Sequence, residues 1–176
     1  MDHVEINAGE FYLRRLRADD LMDDRPALVE GFTDPVFRRF EPGLAVTTLE
    51  DAGAYIAKRD AEWAADERCS WAIAEPTTGA LLGEVGIKKL DLDAGTGEAS
   101  IWLHPAGRGR GAASVSLGAA LRFVFGAVGL TRVDYVHCEA NSASRAVAER
   151  CGFTYVEVFG EDRPDLGREV RWVRTP

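Results

Sequence analysis

Arg108-Gly109-Arg110-Gly111-Ala112-Ala113 is the stretch on which the reading of this chain turns. It follows a strand-like run, Gly97 to Leu103, and opens a long helical segment. A helix N-terminus carries unpaired backbone N–H groups and a partial positive charge, so it is a ready anion site. Residues without bulky side chains let a phosphate approach the backbone closely. The segment therefore reads as a pyrophosphate cradle, although a Gly-rich loop before a helix fits a plain structural turn equally well. A P-loop is excluded, because no Gly-Lys-Ser/Thr follows. A dinucleotide fingerprint fits poorly. The glycines come after an antiparallel-looking run, and no acidic residue closes the next strand as a ribose partner.

Working outward from this loop, the periodicities alternate. On the N-terminal side, Phe11 to Leu16 reads as a strand. Asp19-Asp20 is expected to start a helix from Leu21 to about Glu30, with Pro26 an irregularity in it. A short helix is expected at Pro35 to Phe40. Thr47 to Glu50 fits a capping box for a helix from Leu49 to Ala65. Ser70 to Glu75 and Ala80 to Leu90 read as a hairpin across Pro76-Thr77-Thr78-Gly79, and Glu98 to Leu103 as a third strand. On the C-terminal side, Ala112 to Phe125 is helical and Arg132 to Cys138 a strand. Asn141 caps a helix from Ser142 to Arg150, with Gly152 as its C′ residue. Two strands follow, Thr154 to Phe159 and Arg168 to Arg174. The order predicts an α/β chain of the α+β type with one mixed sheet.

The chain has 176 residues, which suits one domain over 1–176, with residues 1–10 a loose extension. A formal net charge of −8 argues against broad nucleic-acid binding and favours cationic partners such as amines. No run is long enough to cross a membrane, and Met1-Asp2-His3-Val4-Glu5 lacks the features of a signal peptide. Cys69, Cys138 and Cys151 show neither metal-ligand nor disulfide spacing, so no metal is expected and a reducing cytoplasm is the simplest compartment.

From Glu98 to Phe153 the chain resembles the GNAT acetyltransferase superfamily, in particular the RimJ/RimL branch that acetylates ribosomal-protein N-termini. The resemblance is carried by Glu98-Ala99-Ser100-Ile101-Trp102-Leu103, by His104-Pro105, and by Arg108, Gly111 and Ala113 in the pattern Arg-x-x-Gly-x-Ala. Gly129-Leu130-Thr131-Arg132-Val133 and Asn141 through Gly152-Phe153 continue it. Weaker landmarks, Leu13-Arg14, Thr33-Asp34-Pro35 and Thr48-Leu49-Glu50, extend it over nearly the whole chain.

The resemblance implies a mixed central sheet with two splayed parallel strands, flanked by helices. It implies acetyl-CoA as donor, its pyrophosphate on the backbone of Arg108, Gly109, Arg110, Gly111, Ala112 and Ala113. The pantetheine arm would pair with the backbone around Trp102 and Leu103, and Asn141 would lie close by. Acetyl transfer to an amine needs a free amine, a polarised thioester carbonyl and stabilisation of the leaving thiolate. Glu98 matches the family carboxylate that serves as base, with Glu84 and Glu41 as further candidates. Many members place an acidic Tyr on the second helix of this region. The matching position here is Ala148, and Ser144 matches the serine of the RimJ/RimL branch. His104 and His137 suit structural roles better than catalytic ones. Neither Cys138 nor Cys151 has a histidine at nucleophile spacing. Trp63, Trp71 and Trp102 read as core or pocket wall.

The expected function is acetyl transfer to a primary amine, either a protein N-terminus or a small molecule. Asp23, Asp24, Glu30 and Glu41 are acids on the expected acceptor side. A homodimer is possible. A non-catalytic acyl-CoA-binding regulator on the same fold is the alternative, kept open by Ala148; a nucleotide-binding domain is a third.

Overall fold

The computed structural model describes all of Met1–Pro176. In chain order, β1 (Ile6–Asn7) and β2 (Tyr12–Arg14) lead into a small hairpin of β3 (Ala18–Asp19) and β4 (Met22–Asp23). Then come α1 (Arg25–Thr33), α2 (Pro35–Phe40), α3 (Leu49–Ala64), β5 (Arg68–Ala74), β6 (Leu81–Asp91) and β7 (Thr96–Leu103). The chain continues with α4 (Ala112–Phe123), β8 (Arg132–Cys138), α5 (Ser142–Arg150), β9 (Thr154–Arg163) and β10 (Gly167–Arg174).

Eight strands form one sheet in the order β1-β2-β5-β6-β7-β8-β10-β9. Every pair is antiparallel except β7 with β8. That parallel pair runs in register only from Thr96↔Arg132 to Ala99↔Tyr135. Beyond it β7 continues to Leu103 and β8 to Cys138 unpaired with each other, so the sheet opens into a wedge. This is the mixed sheet with splayed parallel strands that the resemblance implied.

Alternation along the strands sends side chains to two cores. One gathers Trp71, Ile73, Val85, Ile87 and Ala99 with Leu117, Ala120 and Val124 of α4 and its continuation, and with Val147 and Ala148 of α5. The other joins Leu28, Phe32, Phe37, Tyr55 and Ile56 from α1–α3 to Ala72 and Leu81 of the sheet. Glu84 lies between Val85 and Leu82 in sequence but turns toward α3, a carboxylate in an apolar layer.

Most sequence boundaries agree with the structure to within a few residues. The clearest difference is at Asp19-Asp20. These residues belong to the β3–β4 hairpin, because the Asp19 side chain accepts from the N–H groups of Leu21 and Met22 and closes a turn. α1 starts instead after Asp24, with Pro26 in its first turn, where a missing N–H costs nothing. The capping box lies one residue later than expected, between Thr48 and Asp51. α5 ends as its Gly152 suggests. The Phe153 N–H bonds Ala148 O and the Gly152 N–H bonds Glu149 O, with Gly152 at φ +71°, a Schellman motif.

The first ten residues, expected to be loose, are tied down. β1 pairs with β2, the Trp71 indole donates to Val4 O at 2.6 Å, and the His3 ring lies 4.2 Å from that of Trp63. Apolar residues two and four apart (Val4, Ile6, Ala8) were the signal for this short edge strand.

Candidate functional site

The wedge between β7 and β8 opens into a cleft of about 490 Å³, bounded by α2 on one side and by α5 and the β9–β10 hairpin on the other. Its lining includes Ser100, Trp102, Leu103, Arg108, Ala113, Asn141 and Ser144, all from the segments singled out in the sequence.

At the mouth, the loop after β7 has the features of an anion cradle. Gly109 and Gly111 adopt φ of +74° and +75°, and a Cβ on either would meet no atom within 4 Å. Gly111 is the N-cap of α4 and offers no side-chain acceptor. None of the six N–H groups from Gly109 to Ser114 has a hydrogen-bond partner in the chain. Six adjacent unsatisfied donors at a helix N-terminus suit a diphosphate. The residues therefore fit the group that the resemblance implies.

The two arginines differ. Arg108 donates to Asp34 at 2.6 Å, and Asp34 also caps α2, so Arg108 ties the loop to the cleft wall. Arg108 holds the Asp34 carboxyl below the usual carboxylate range, with help from the α2 N–H groups. Arg110 reaches Glu75 at 2.7 Å on the outer surface and lies over the Phe11 ring.

The inner end of the cleft is built around Glu84, only 1% exposed. Its carboxylate accepts from Tyr55 Oη, from Arg59 Nε at 3.0 Å and from Trp102 Nε1 at 3.1 Å. The Arg68 guanidinium lies 3.6 Å away and also donates to Ser100 Oγ at 2.8 Å. Burial and the adjacent Glu84 charge raise the Tyr55 hydroxyl, which stays protonated as a donor. The network fixes the Trp102 indole against Phe32 and Phe37, so the Trp102 side chain shapes the cleft wall while its backbone stays on the wedge.

Glu98 lies on the same sheet face, two residues before Ser100. It does not border the cleft itself; its cross-strand partner Lys88 does. Lys88 and Lys89 reach its carboxylate at 3.0 and 2.7 Å. Burial alone would raise this carboxyl, but the hydrogen bonds from Lys89 and Lys88 outweigh it and hold it below the usual range. Glu41, at the end of α2, borders the cleft directly. Although the residue is exposed, partial desolvation by the cleft walls raises its carboxyl; Lys88 and Arg163 oppose that shift and Glu169 adds to it.

At the other wall, the Asn141 side chain accepts from the Ser144 N–H at 3.0 Å, as a cap should, and sets the first turn of α5 on the cleft. His137 borders the cleft but is spent on structure. Trp172 Nε1 donates to its Nε2 at 2.9 Å, and its Nδ1 lies 2.8 Å from Cys138 O. That arrangement requires a neutral ring with the proton on Nδ1, and burial lowers its pKa accordingly. The His104 Nδ1 accepts from the Ala106 N–H, so it too is structural.

Of the acids expected on the acceptor side, Asp24 is buried against Arg14 at 2.7 Å and Asp23 is paired with Arg25. Glu30 approaches His104 at 3.2 Å. Only Glu41 among these borders the cleft. Sequence reasoning missed Tyr55 and Arg59 as a polar pair: their spacing of four signalled one helix face, but nothing local marked Glu84 as their partner. It also missed Tyr135 at the closed end of the wedge.

The chain matches the family model described as the acetyltransferase (GNAT) domain over residues 10–154. No curated protein matches it. Solved structures share the fold at low identity. A GNAT-family acetyltransferase from Bacillus anthracis superposes with a TM-score of 0.81 at 19% identity, covering 98% of each chain. The ribosomal-protein-S5-alanine acetyltransferase of Vibrio fischeri gives 0.82 at 13% identity, covering 98% of this chain and 96% of its own. The microcin C7 self-immunity acetyltransferase MccE, solved with acetyl-CoA and AMP, gives 0.78 at 19% identity, covering 95% and 93%.

Proposed function

The chain belongs to the GNAT acetyltransferase family, and from that premise we propose that it moves the acetyl group of acetyl-CoA onto a primary amine by direct attack. The observation that carries the reading is the run of unpaired N–H groups from Gly109 to Ser114, set at the open end of the β7–β8 wedge. Those donors would hold the pyrophosphate, and the unpaired edge of β7 at Trp102 and Leu103 would pair with the pantetheine amides.

The amine would enter from the side walled by α2 and the β9–β10 hairpin. Glu98 is the proposed proton acceptor, acting through water past Lys88; its ion pairs keep it ionised at neutral pH, as a base must be. The Ser144 hydroxyl, on the first turn of α5, would donate to the departing sulfur. A peptide N-terminus, as in the RimJ/RimL branch, or a small amine would be the acceptor. A cytoplasmic location and a homodimer belong to the same proposal.

The test is release of free CoA thiol from acetyl-CoA with a panel of peptide N-termini and small amines. Turnover with at least one amine is expected. Binding of acetyl-CoA without turnover on any of them would favour the regulator reading, which Ala148, buried where many members carry an acidic Tyr, keeps in view.

A further inference from the structure

The wedge closes at the pair Ala99 and Tyr135. Tyr135 is 3% exposed, yet it borders the cleft. Its ring packs against Phe153 and His137, but its hydroxyl has no hydrogen-bond partner of standard geometry. A buried hydroxyl without a partner destabilises a fold. Phenylalanine would fill this place equally well, so packing does not account for the oxygen. Ser144, on the first turn of α5, borders the same end of the cleft; its Oγ makes no hydrogen bond of standard geometry but faces the Tyr135 hydroxyl closely enough to act on it.

We infer that the Tyr135 and Ser144 hydroxyls together form a two-donor site for the sulfur of the acyl donor. The inference rests on the proposed function, in that a thioester must lie in the wedge. An arm anchored by its diphosphate at Gly109–Ser114 and running inward along the edge of β7 ends where the strands meet. There the amine nitrogen bonds the carbonyl carbon, the carbon–sulfur bond breaks, and the electron pair leaves on sulfur. The two hydroxyls donate to that sulfur as its charge grows, and the N-terminus of α5 favours the same charge. The thiolate then takes its final proton from water, while the amine proton leaves through the carboxylate base. Burial pushes the Tyr135 hydroxyl up to about 12, with Ser144 pulling the other way, so it remains a donor throughout the working range.

The test needs no knowledge of the acceptor. Calorimetry compares CoA with desulfo-CoA at a pH near 9, where a site that stabilises the thiolate draws the bound thiol into its ionised form, on the wild type, Tyr135→Phe and Ser144→Ala. Wild type is expected to bind CoA about tenfold more tightly than desulfo-CoA, as one charge-assisted hydrogen bond warrants. That preference should collapse in Tyr135→Phe and shrink in Ser144→Ala, with desulfo-CoA affinity unchanged in both. The thermal midpoint of Tyr135→Phe should hold, because it loses an oxygen that has no partner of standard geometry. No preference for CoA in the wild type, or the same preference in Tyr135→Phe, overturns the inference and leaves the donor reading standing. If the wild type binds neither compound, the donor reading falls and takes the inference with it.

Discussion

The two ends of the cleft are made of different material. The mouth is backbone: six consecutive unpaired N–H groups, presented by two glycines in the left-handed region and a helix start. The inner end is side chain: Glu84 gathers Tyr55 and Arg59 from α3, Trp102 from β7 and Arg68 from β5. A backbone site tolerates change at every position that keeps its φ and its open space. A buried charge network depends on every member at once. The mouth therefore suits a constant donor, and the inner end gives a rigid floor to whatever walls the acceptor requires.

Substitutions at the two ends should separate cleanly. The largest expected effect is at the mouth. Gly111→Asp meets open space and costs about 1 kcal/mol of backbone strain at φ +75°, which Asp adopts more readily than most residues, but it puts a carboxylate among the proposed phosphate donors. Calorimetry should show CoA affinity falling more than about a hundredfold, with the thermal midpoint lowered by only a few degrees.

The inner end should answer the other way. Glu84→Ala leaves the Tyr55 hydroxyl and the Trp102 indole without their acceptor and Arg59 with Glu62 alone, a loss of about 3–5 kcal/mol of stability for a broken buried network. Chemical denaturation checks this, and the CoA affinity of the folded fraction should survive. If Gly111→Asp unfolds the chain or Glu84→Ala selectively abolishes CoA binding, the contrast between the two ends fails.

A smaller effect sharpens the chemistry between them. Glu98→Gln should lower kcat about ten- to a hundredfold while sparing CoA affinity. The pH profile distinguishes Glu98 from Glu41, because a base works only when ionised. The Glu98 carboxyl is held below its ordinary 4.5, so activity should persist as pH falls to that value and fail only below it. The Glu41 carboxyl is raised above 4.5, so a base there would fail at higher pH. The comparison is made after dividing out the ionisation of the free amine. An acidic limb above 4.5 that disappears in Glu41→Gln would move the role to Glu41. The smallest effect belongs to the arginines. Arg108→Ala should weaken CoA binding several-fold by freeing the loop from Asp34, whereas Arg110→Ala, whose partner Glu75 lies outside the cleft, should change it by less than threefold.

The same contrast explains what was legible in the sequence. The proposed cradle could be suggested because glycines, small residues and a helix start are local signals, and Asn141 and Gly152 marked both ends of α5 for the same reason. Glu84 could be noted only as one candidate carboxylate. Its partners lie 29, 25 and 18 residues away, and nothing in a single strand says which face will meet α3. Asp19-Asp20 misled because acidic residues favour turns and helix starts alike, and only the hairpin geometry decides between them. Tyr135 looked like an ordinary strand aromatic; its unpartnered hydroxyl is a property of packing.

The central claim is that the backbone from Gly109 to Ser114 holds the diphosphate of an acyl-CoA. Calorimetric titration of the wild type and Gly111→Asp with CoA, ATP and NAD tests it most directly. The account predicts that the wild type binds CoA in clear preference to ATP and NAD, and that Gly111→Asp loses CoA. Wild-type CoA affinity in Gly111→Asp, or a wild type that binds ATP or NAD and not CoA, would contradict it.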